Sequence, residues 1–240
     1  MAYTEGKTDC KPAEVDYDES RIQALNKHFQ GLINDGEIQG ASYCVSRYGK
    51  VFMHGAIGQK SFKQDDKTPL TPDCVYYIAS LTKVFTAVAI MKLVEDGVTR
   101  LDVPVGEILP QFNTPPFNAI TLFHLLTHTS GLHADPSCFD NKYQSSYWGI
   151  IETAYERRKP DYCWKANVQD RGYGIGFDMR NGPAFTFSHG TFMHEGWGYC
   201  SLYIDPEEEL AAAWFVPFTR DEWFSRAQYS VQNVIWSGLM

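Results

Sequence analysis

Two residues of this chain have types and a spacing that could do chemistry: Ser80 and, three positions later, Lys83. A serine hydroxyl is a weak nucleophile until a base removes its proton. Residues three apart on a helix lie on the same face, so the amine of Lys83 would stand beside the Ser80 hydroxyl. The pair predicts a nucleophile next to its base. The alternative is an ordinary serine near a surface lysine, because motifs this short also occur by chance.

Hydrophobic spacing predicts that this pair begins a helix. The apolar residues that follow recur at helical intervals, namely Val84, Val88, Ile90 and Leu93. Gly97 then acts as a stop signal. Ser80 is expected in the first turn, where unpaired backbone N–H groups and the helix dipole favour negative charge. An attacking alkoxide and a developing oxyanion would both be stabilised there.

The sequence around the pair, YIASLTKVFTA at 77–87, closely resembles the nucleophile segment of the serine β-lactamase, penicillin-binding protein and family VIII esterase superfamily, on its class C side. The stretch ITLFHLLTHTSGL at 120–132 resembles the long hallmark that follows the nucleophile helix in this branch. The resemblance extends over residues 18–164 and 172–218. It implies an α+β protein of the β-lactamase/transpeptidase-like fold, with an antiparallel sheet flanked by N- and C-terminal helices and a reduced helical lobe.

The same resemblance implies roles for particular residues. Ser80 would attack an ester or amide carbonyl to form an acyl-enzyme, and Lys83 would keep it deprotonated. His194-Glu195-Gly196 stands where relatives carry K-T-G or H-x-G, so His194 would line the cleft and contact substrate, with a packed strand histidine as the alternative. Gly196 would let substrate approach the backbone of an edge strand. The N–H groups of Ser80 and Trp197 would form the oxyanion hole.

One motif of the family is missing from its place. The pattern Y-x-N or S-x-N, expected between the hallmark and the terminal strands, occurs nowhere in the chain. Tyr162 is the candidate replacement, although Trp164 occupies the position of the Asn and an aromatic residue in a shortened loop is the alternative. Residues 133–171 are too few for the usual helical lobe, which leaves a natural deletion or an omitted segment open.

Composition limits the other classes of function. A net charge of −8 argues against nucleic acid as a partner. The N-terminus lacks an apolar signal region and no apolar run approaches the length of a membrane span, so we expect a cytoplasmic protein without membrane contact. The six cysteines lie without C-x-x-C pairs, and their even number would allow disulfides. The lack of a signal region and the length of the chain favour reduced thiols instead.

Neither a metal nor a cofactor is expected. His124 and His128 lie four apart on a predicted helix, but Leu125 stands where a zinc protease needs Glu. The glycines at 172, 174 and 176 have the wrong spacing for a dinucleotide loop and are more typical of strands at close backbone approach.

Periodicity along the chain predicts the following order of elements. Residues 1–16 form a loose polar N-terminal tail, and residues 17–240 form a single domain. Within it a helical lobe at 74–171 is inserted between sheet-forming parts at 17–73 and 172–240. A helix runs from Asp18 to near Gly36, and a hairpin follows with strands at 40–46 and up to 54. Further strands are expected near 173–178, 184–189, 197–205 and 210–217, and a final helix begins after Thr219.

The sequence therefore predicts a serine hydrolase that uses Ser80 and Lys83 on a small-molecule ester or amide. Because the third motif is missing, we expect weak turnover of activated esters and little or none of β-lactams. The alternative is an inactive relative that keeps the cleft as a binding module. The substrate and the oligomeric state are left open.

Overall fold

The structure is a computed structural model that describes residues 3–61, 63, 65–132, 171–180, 186–196, 200–216 and 229–240. The chain divides into two compact units. The first comprises Met1–Lys83 with Met179–Met240, and the second comprises Val84–Asp178. Ser80, Lys83, His194 and Gly196 all belong to the first unit.

The described strands are β1 (Tyr3–Glu5), β2 (Gly40–Arg47), β3 (Lys50–Gly58), β4 (Arg171–Tyr173), β5 (Asp178–Arg180), β6 (Phe192–Gly196), β7 (Cys200–Asp205) and β8 (Leu210–Phe215). In the first unit their order in the sheet is β1-β3-β2-β8-β7-β6, and the short strand β5 follows β6. Neighbours from β1 to β6 in this order pair antiparallel.

The described helices are α1 (Ser20–Asn34), α2 (Thr82–Glu95), α3 (Val105–Ile108), α4 (Leu122–Leu126) and α5 (Tyr229–Trp236). In the first unit α1 and α5 pack against each other, and α1 also contacts β2 and β3. Their apolar residues share one core with the strands, which includes Leu25, Phe29, Tyr43, Val45, Tyr203, Trp214, Val231 and Ile235. Helices from both ends of the chain thus cover an antiparallel sheet, so the expected α+β arrangement is confirmed.

The first helix and the hairpin that follows it are present as predicted. The amphipathic helix ends at Asn34, and Gly36 follows with a φ of 70°, a left-handed conformation that glycine adopts at helix ends. The hairpin is present as β2 and β3, and Tyr48 and Gly49 turn it with φ values of 54° and 74°. Positive φ at both central residues is typical of the tight hairpin turn whose twist matches that of its strands.

The N-terminal segment and two of the predicted strands are corrected. Residues 3–16 are not a loose tail, because β1 pairs with β3 and Val15 is buried in the core. Residues 174–177 form the turn between β4 and β5, in which Gly174 N–H donates to the Phe177 carbonyl at 2.8 Å. Over the described residues 186–189 no strand is found where 184–189 was predicted.

The remaining strand predictions hold with changed limits. The predicted strand 210–217 is present as β8, whereas 197–205 begins later, as β7 at Cys200. The predicted final helix falls on α5 where it is described.

Besides β4, the elements described in the second unit are α2 from Val84 onward, α3, α4 and two 3-10 turns, Pro110–Phe112 and Phe117–Ala119. A small apolar cluster forms the centre of this unit and consists of Val105, Phe112, Phe117, Ile120 and Leu122. Gly97, with a φ of 69°, follows the end of α2 as predicted. Across the described parts of the chain, no helix combines the length and apolar character needed to cross a membrane.

Candidate active site

The structure brings Ser80 and Lys83 together. Lys83 Nζ lies 2.7 Å from Ser80 Oγ. Ser80 sits in a 3-10 turn, Ala79–Leu81, and the α-helix proper begins directly after it at Thr82. The hydroxyl therefore lies just ahead of the α-helix and not inside its first turn.

The two side chains differ in exposure. Ser80 is half-buried and Lys83 is exposed. In its charged form Lys83 donates a proton to the hydrogen bond, and as a neutral amine it would accept the Ser80 proton. The geometry thus suits proton transfer in either direction along a single short hydrogen bond.

The turn that carries Ser80 is strained at the residue before it. Ala79 has a φ of 45°, which is uncommon for a residue with a Cβ and costs about 1–3 kcal/mol. The Ile78 carbonyl accepts from Leu81 N–H at 3.1 Å and closes the turn. Such a conformation persists only where neighbouring contacts hold it.

The chain leading to the turn is anchored on the sheet. The Tyr76 ring stacks on Phe215 of β8, with centroids 6.0 Å apart and planes 10° apart. Burial raises the pKa of the Tyr76 hydroxyl above its ordinary value. Val75 and Tyr77, on either side of Tyr76, are both largely exposed. The alternation shows that one side of this segment rests on the sheet and the other faces outward.

Strand β6 approaches the turn closely at Gly196. A Cβ added there would lie 2.2 Å from the Ile78 carbonyl oxygen, so only glycine fits without movement of the backbone. The space in front of Gly196 is thus filled by the chain itself, which is a different reason for glycine from the predicted approach of substrate. Since β5 follows β6 in the sheet, the expectation that β6 is an edge strand is wrong.

His194 lies on the same face of β6 as Gly196, because successive side chains of a strand alternate. It is 7% exposed, and its Nδ1 lies 2.8 Å from the Glu195 carbonyl. Glu195 lies on the opposite face, where it accepts a hydrogen bond from Tyr203 Oη at 3.0 Å. His194 is therefore a largely buried side chain on the Ser80 side of the strand.

Cys200 makes a contact that was not predicted from the sequence. It pairs with Gly196 across β6 and β7, and its Sγ donates to the Ile78 carbonyl at 3.0 Å. Burial raises the pKa of the thiol to about 11. No pattern in the sequence relates Cys200 to Ile78, which lies 122 positions earlier.

Two other predicted site residues, Tyr162 and Trp197, lie outside the described residues. The described cysteines are free thiols, namely Cys10, Cys44, Cys74 and Cys200. His124 takes part in a capping box with Thr121 at the start of α4. The ring centroids of His128 and Tyr173 lie 4.2 Å apart. Both histidines thus have structural contacts. Within the described ranges, no three His, Cys, Asp or Glu side chains gather as a metal site would require.

Solved structures identify the class of fold. The hydrolase EstCE1, described as having promiscuous acyltransferase activity, superposes with a TM-score of 0.68 at 14% identity, over 90% of this chain and 98% of that one. A penicillin-binding protein homologue from Caulobacter crescentus superposes with a TM-score of 0.63 at 15% identity, over 97% and 99% of the two chains. The fold is that of the β-lactamase/transpeptidase-like proteins.

The sequence comparison identifies the family. The family model described as Beta-lactamase matches residues 25–162, and the chain belongs to this family, within the superfamily of serine β-lactamases, penicillin-binding proteins and related esterases. Lovastatin esterase from Penicillium rubens is 34% identical over 82% of this chain and 54% of its own length. Esterase EstB from Burkholderia gladioli is 32% identical over 50% of this chain and 32% of its own length. The chain thus spans about half or less of the length of these relatives.

Proposed function

We propose that this chain is a serine hydrolase that cleaves small carboxylic esters through an acyl-enzyme on Ser80. The observation that carries the proposal is the 2.7 Å hydrogen bond between Lys83 Nζ and Ser80 Oγ. A hydroxyl and an amine at this distance form the nucleophile and base that acyl transfer requires.

The reaction has two steps, acylation of Ser80 and hydrolysis of the acyl-enzyme. Ser80 Oγ attacks the ester carbonyl carbon while the neutral amine of Lys83 takes the hydroxyl proton. The bond to the leaving alcohol then breaks, and the alkoxide recovers that proton from Lys83. In the second step water attacks the acyl carbon while Lys83 takes one of its protons. The bond to Ser80 Oγ then breaks, Oγ recovers that proton from Lys83, and the acid is released.

An ester is favoured over an amide by the names of the relatives. Two relatives with 32% and 34% identity are named as esterases. An ester also has the easier leaving group, which suits a site that lacks the third motif of its family. Nothing in the comparisons favours the alternative of an inactive binding module.

The other predicted residues complete the proposal. The N–H groups of Ser80 and Trp197 would stabilise the oxyanion, and His194 and Gly196 would border the acyl site. Tyr162 stays a prediction, as the group that would relay protons to the leaving alcohol. Equal rates for Tyr162→Phe and its parent in a burst-phase assay would remove Tyr162 from the mechanism.

Mass spectrometry after exposure to a fluorophosphonate tests the proposal. We expect a single adduct on Ser80 and none in Ser80→Ala, with weak turnover of p-nitrophenyl acetate by the parent chain alone. The melting temperature of Ser80→Ala should stay close to that of the parent, because a half-buried serine contributes little packing. Hydrolysis that survives in Ser80→Ala would place the activity elsewhere. Rapid β-lactam turnover, on the order of 10–10³ per second, would contradict the expected preference for esters.

A further inference from the structure

Three contacts meet at the carbonyl group of Ile78, two residues before Ser80. Leu81 N–H donates to its oxygen at 3.1 Å, and Cys200 Sγ donates at 3.0 Å. Gly196 packs against the same oxygen so closely that a Cβ there would lie 2.2 Å away. The carbonyl is therefore fixed by its own turn on one side and by the β6–β7 pair on the other.

This carbonyl controls the direction of the chain at the nucleophile. The next residue, Ala79, is held at a φ of 45°. A left-handed conformation is unfavourable at a residue with a Cβ and relaxes when its supports are removed. Rotation at Ala79 would move the segment that carries both Ser80 and Lys83 relative to β6. From the sheet side, Cys200 supplies a hydrogen bond to the Ile78 carbonyl and Gly196 a packing contact.

The Cys200 thiol is suited to donate a hydrogen bond at all times, because it stays protonated. Cys200 is 1% exposed, and burial raises its pKa to about 11, so it keeps its proton at neutral pH. A thiol is a weak donor, and a serine hydroxyl in its place would donate more strongly. An alanine or a valine would remove the donor while leaving an apolar side chain.

We propose that Cys200 is a positioning residue for Ser80. Its thiol holds the Ile78 carbonyl against β6 and β7 and so fixes the place of the Ser80 turn beside these strands. The inference rests on the proposed role of Ser80 as the nucleophile. The Cys200 sulfur itself does not react.

The test compares Cys200→Ala, Cys200→Val and Cys200→Ser with the parent chain, and Cys44→Ala serves as a matched control on β2. The measurements are the rate of fluorophosphonate labelling of Ser80, and kcat and KM for p-nitrophenyl acetate. We expect the alanine and valine variants to lose about 10-fold in labelling rate and in kcat, with little change in KM. A small displacement of a reacting group lowers the rate of the chemical step more than it weakens the binding of substrate. Cys200→Ser should recover the parent rate, and Cys44→Ala should match it throughout.

A second measurement does not depend on catalysis. Hydrogen exchange at the Leu81 amide reports the turn directly, since this N–H donates to Ile78. We expect faster exchange in Cys200→Ala than in Cys44→Ala, and Cys200→Val replaces the alanine variant if that chain does not fold. A parent chain that is not labelled would overturn the proposed function, and the exchange comparison would still decide the positioning role. Unchanged labelling and unchanged Leu81 exchange in the variants without a donor would overturn the inference.

Discussion

Strand β7 has a polar contact at each end, and the two ends hold different parts of the molecule. At its start, the Cys200 thiol donates one weak hydrogen bond to the backbone beside the proposed nucleophile. At its end, the buried carboxylate of Asp205 accepts from the N–H groups of Ser188, Glu208 and the Trp236 indole. One end adjusts the position of a reactive group, whereas the other joins the sheet to α5.

The hydrogen bonds to Asp205 are stronger than the one made by Cys200. The three bonds to Asp205 have lengths of 3.0, 3.2 and 2.8 Å, and each is made to a charged acceptor. Burial alone would raise the pKa of Asp205, but these donors hold it below its ordinary value. Nearby, Arg47 forms an ion pair with Glu208 at 2.9 Å and donates to the Val15 carbonyl at 3.0 Å. This end therefore connects the N-terminal segment, the sheet and the last helix.

The largest effect should come from the base beside the nucleophile. Lys83→Met should lower the rate of Ser80 labelling by about 10²–10⁴, the usual contribution of a positioned acid–base group. Thermal stability should hardly change, because Lys83 is exposed. Lys92→Met is the control on the same helix, where Lys92 pairs with Glu95 and Asp96. Equal labelling rates in the two variants would show that Lys83 is not the base.

The next effect belongs to the opposite end of β7. Asp205→Ala should lower the free energy of unfolding by about 2–4 kcal/mol, since it leaves buried donors without an acceptor. The labelling rate per folded molecule should stay the same. Urea unfolding measures the first quantity and fluorophosphonate kinetics the second. Asp102→Ala, which removes an exposed carboxylate paired with Arg100, is the control and should cost less than about 1 kcal/mol.

Gly196→Ala should lower both the free energy of unfolding and the rate at which Ser80 is labelled. The new methyl group would meet backbone, which cannot move aside as a side chain can, and we expect a loss of about 1–3 kcal/mol. Displacement of Ile78 should also slow the labelling of Ser80. Gly31→Ala in α1 is a matched control, because no atom lies within 4 Å of its added Cβ, and it should be neutral or stabilising. Parent-like stability and labelling in Gly196→Ala would contradict the close approach of β6.

The smallest effect is in the pH dependence of stability. The folded pKa of Asp205 lies below its unfolded value of about 3.9, so its contribution is complete above that pH and is lost as the pH falls through the folded pKa. The stability difference between the parent and Asp205→Asn should therefore be largest at neutral pH and shrink below about pH 4. Urea unfolding at several pH values measures this difference. A difference that grows with acidity would mean that the carboxylate is not stabilised in the folded state.

Local pattern alone was sufficient for much of the fold. The apolar stripe before Gly36 predicted α1, and the turn at Tyr48 and Gly49 predicted the hairpin, because neighbours along the chain decide both. The spacing of Ser80 and Lys83 predicted their contact for the same reason, since one helical turn determines it.

Tertiary structure decided what surrounds that pair. Ile78 and Cys200 are 122 residues apart, and no periodicity relates them. They meet because antiparallel pairing places β7 beside β6 and the turn at Ser80 rests on both. Gly196 was predicted as a point of close approach, but only the packed structure shows that the approaching group is the Ile78 carbonyl. Residue types and local spacing determine which groups can react, whereas the order of strands determines which backbone holds them in place.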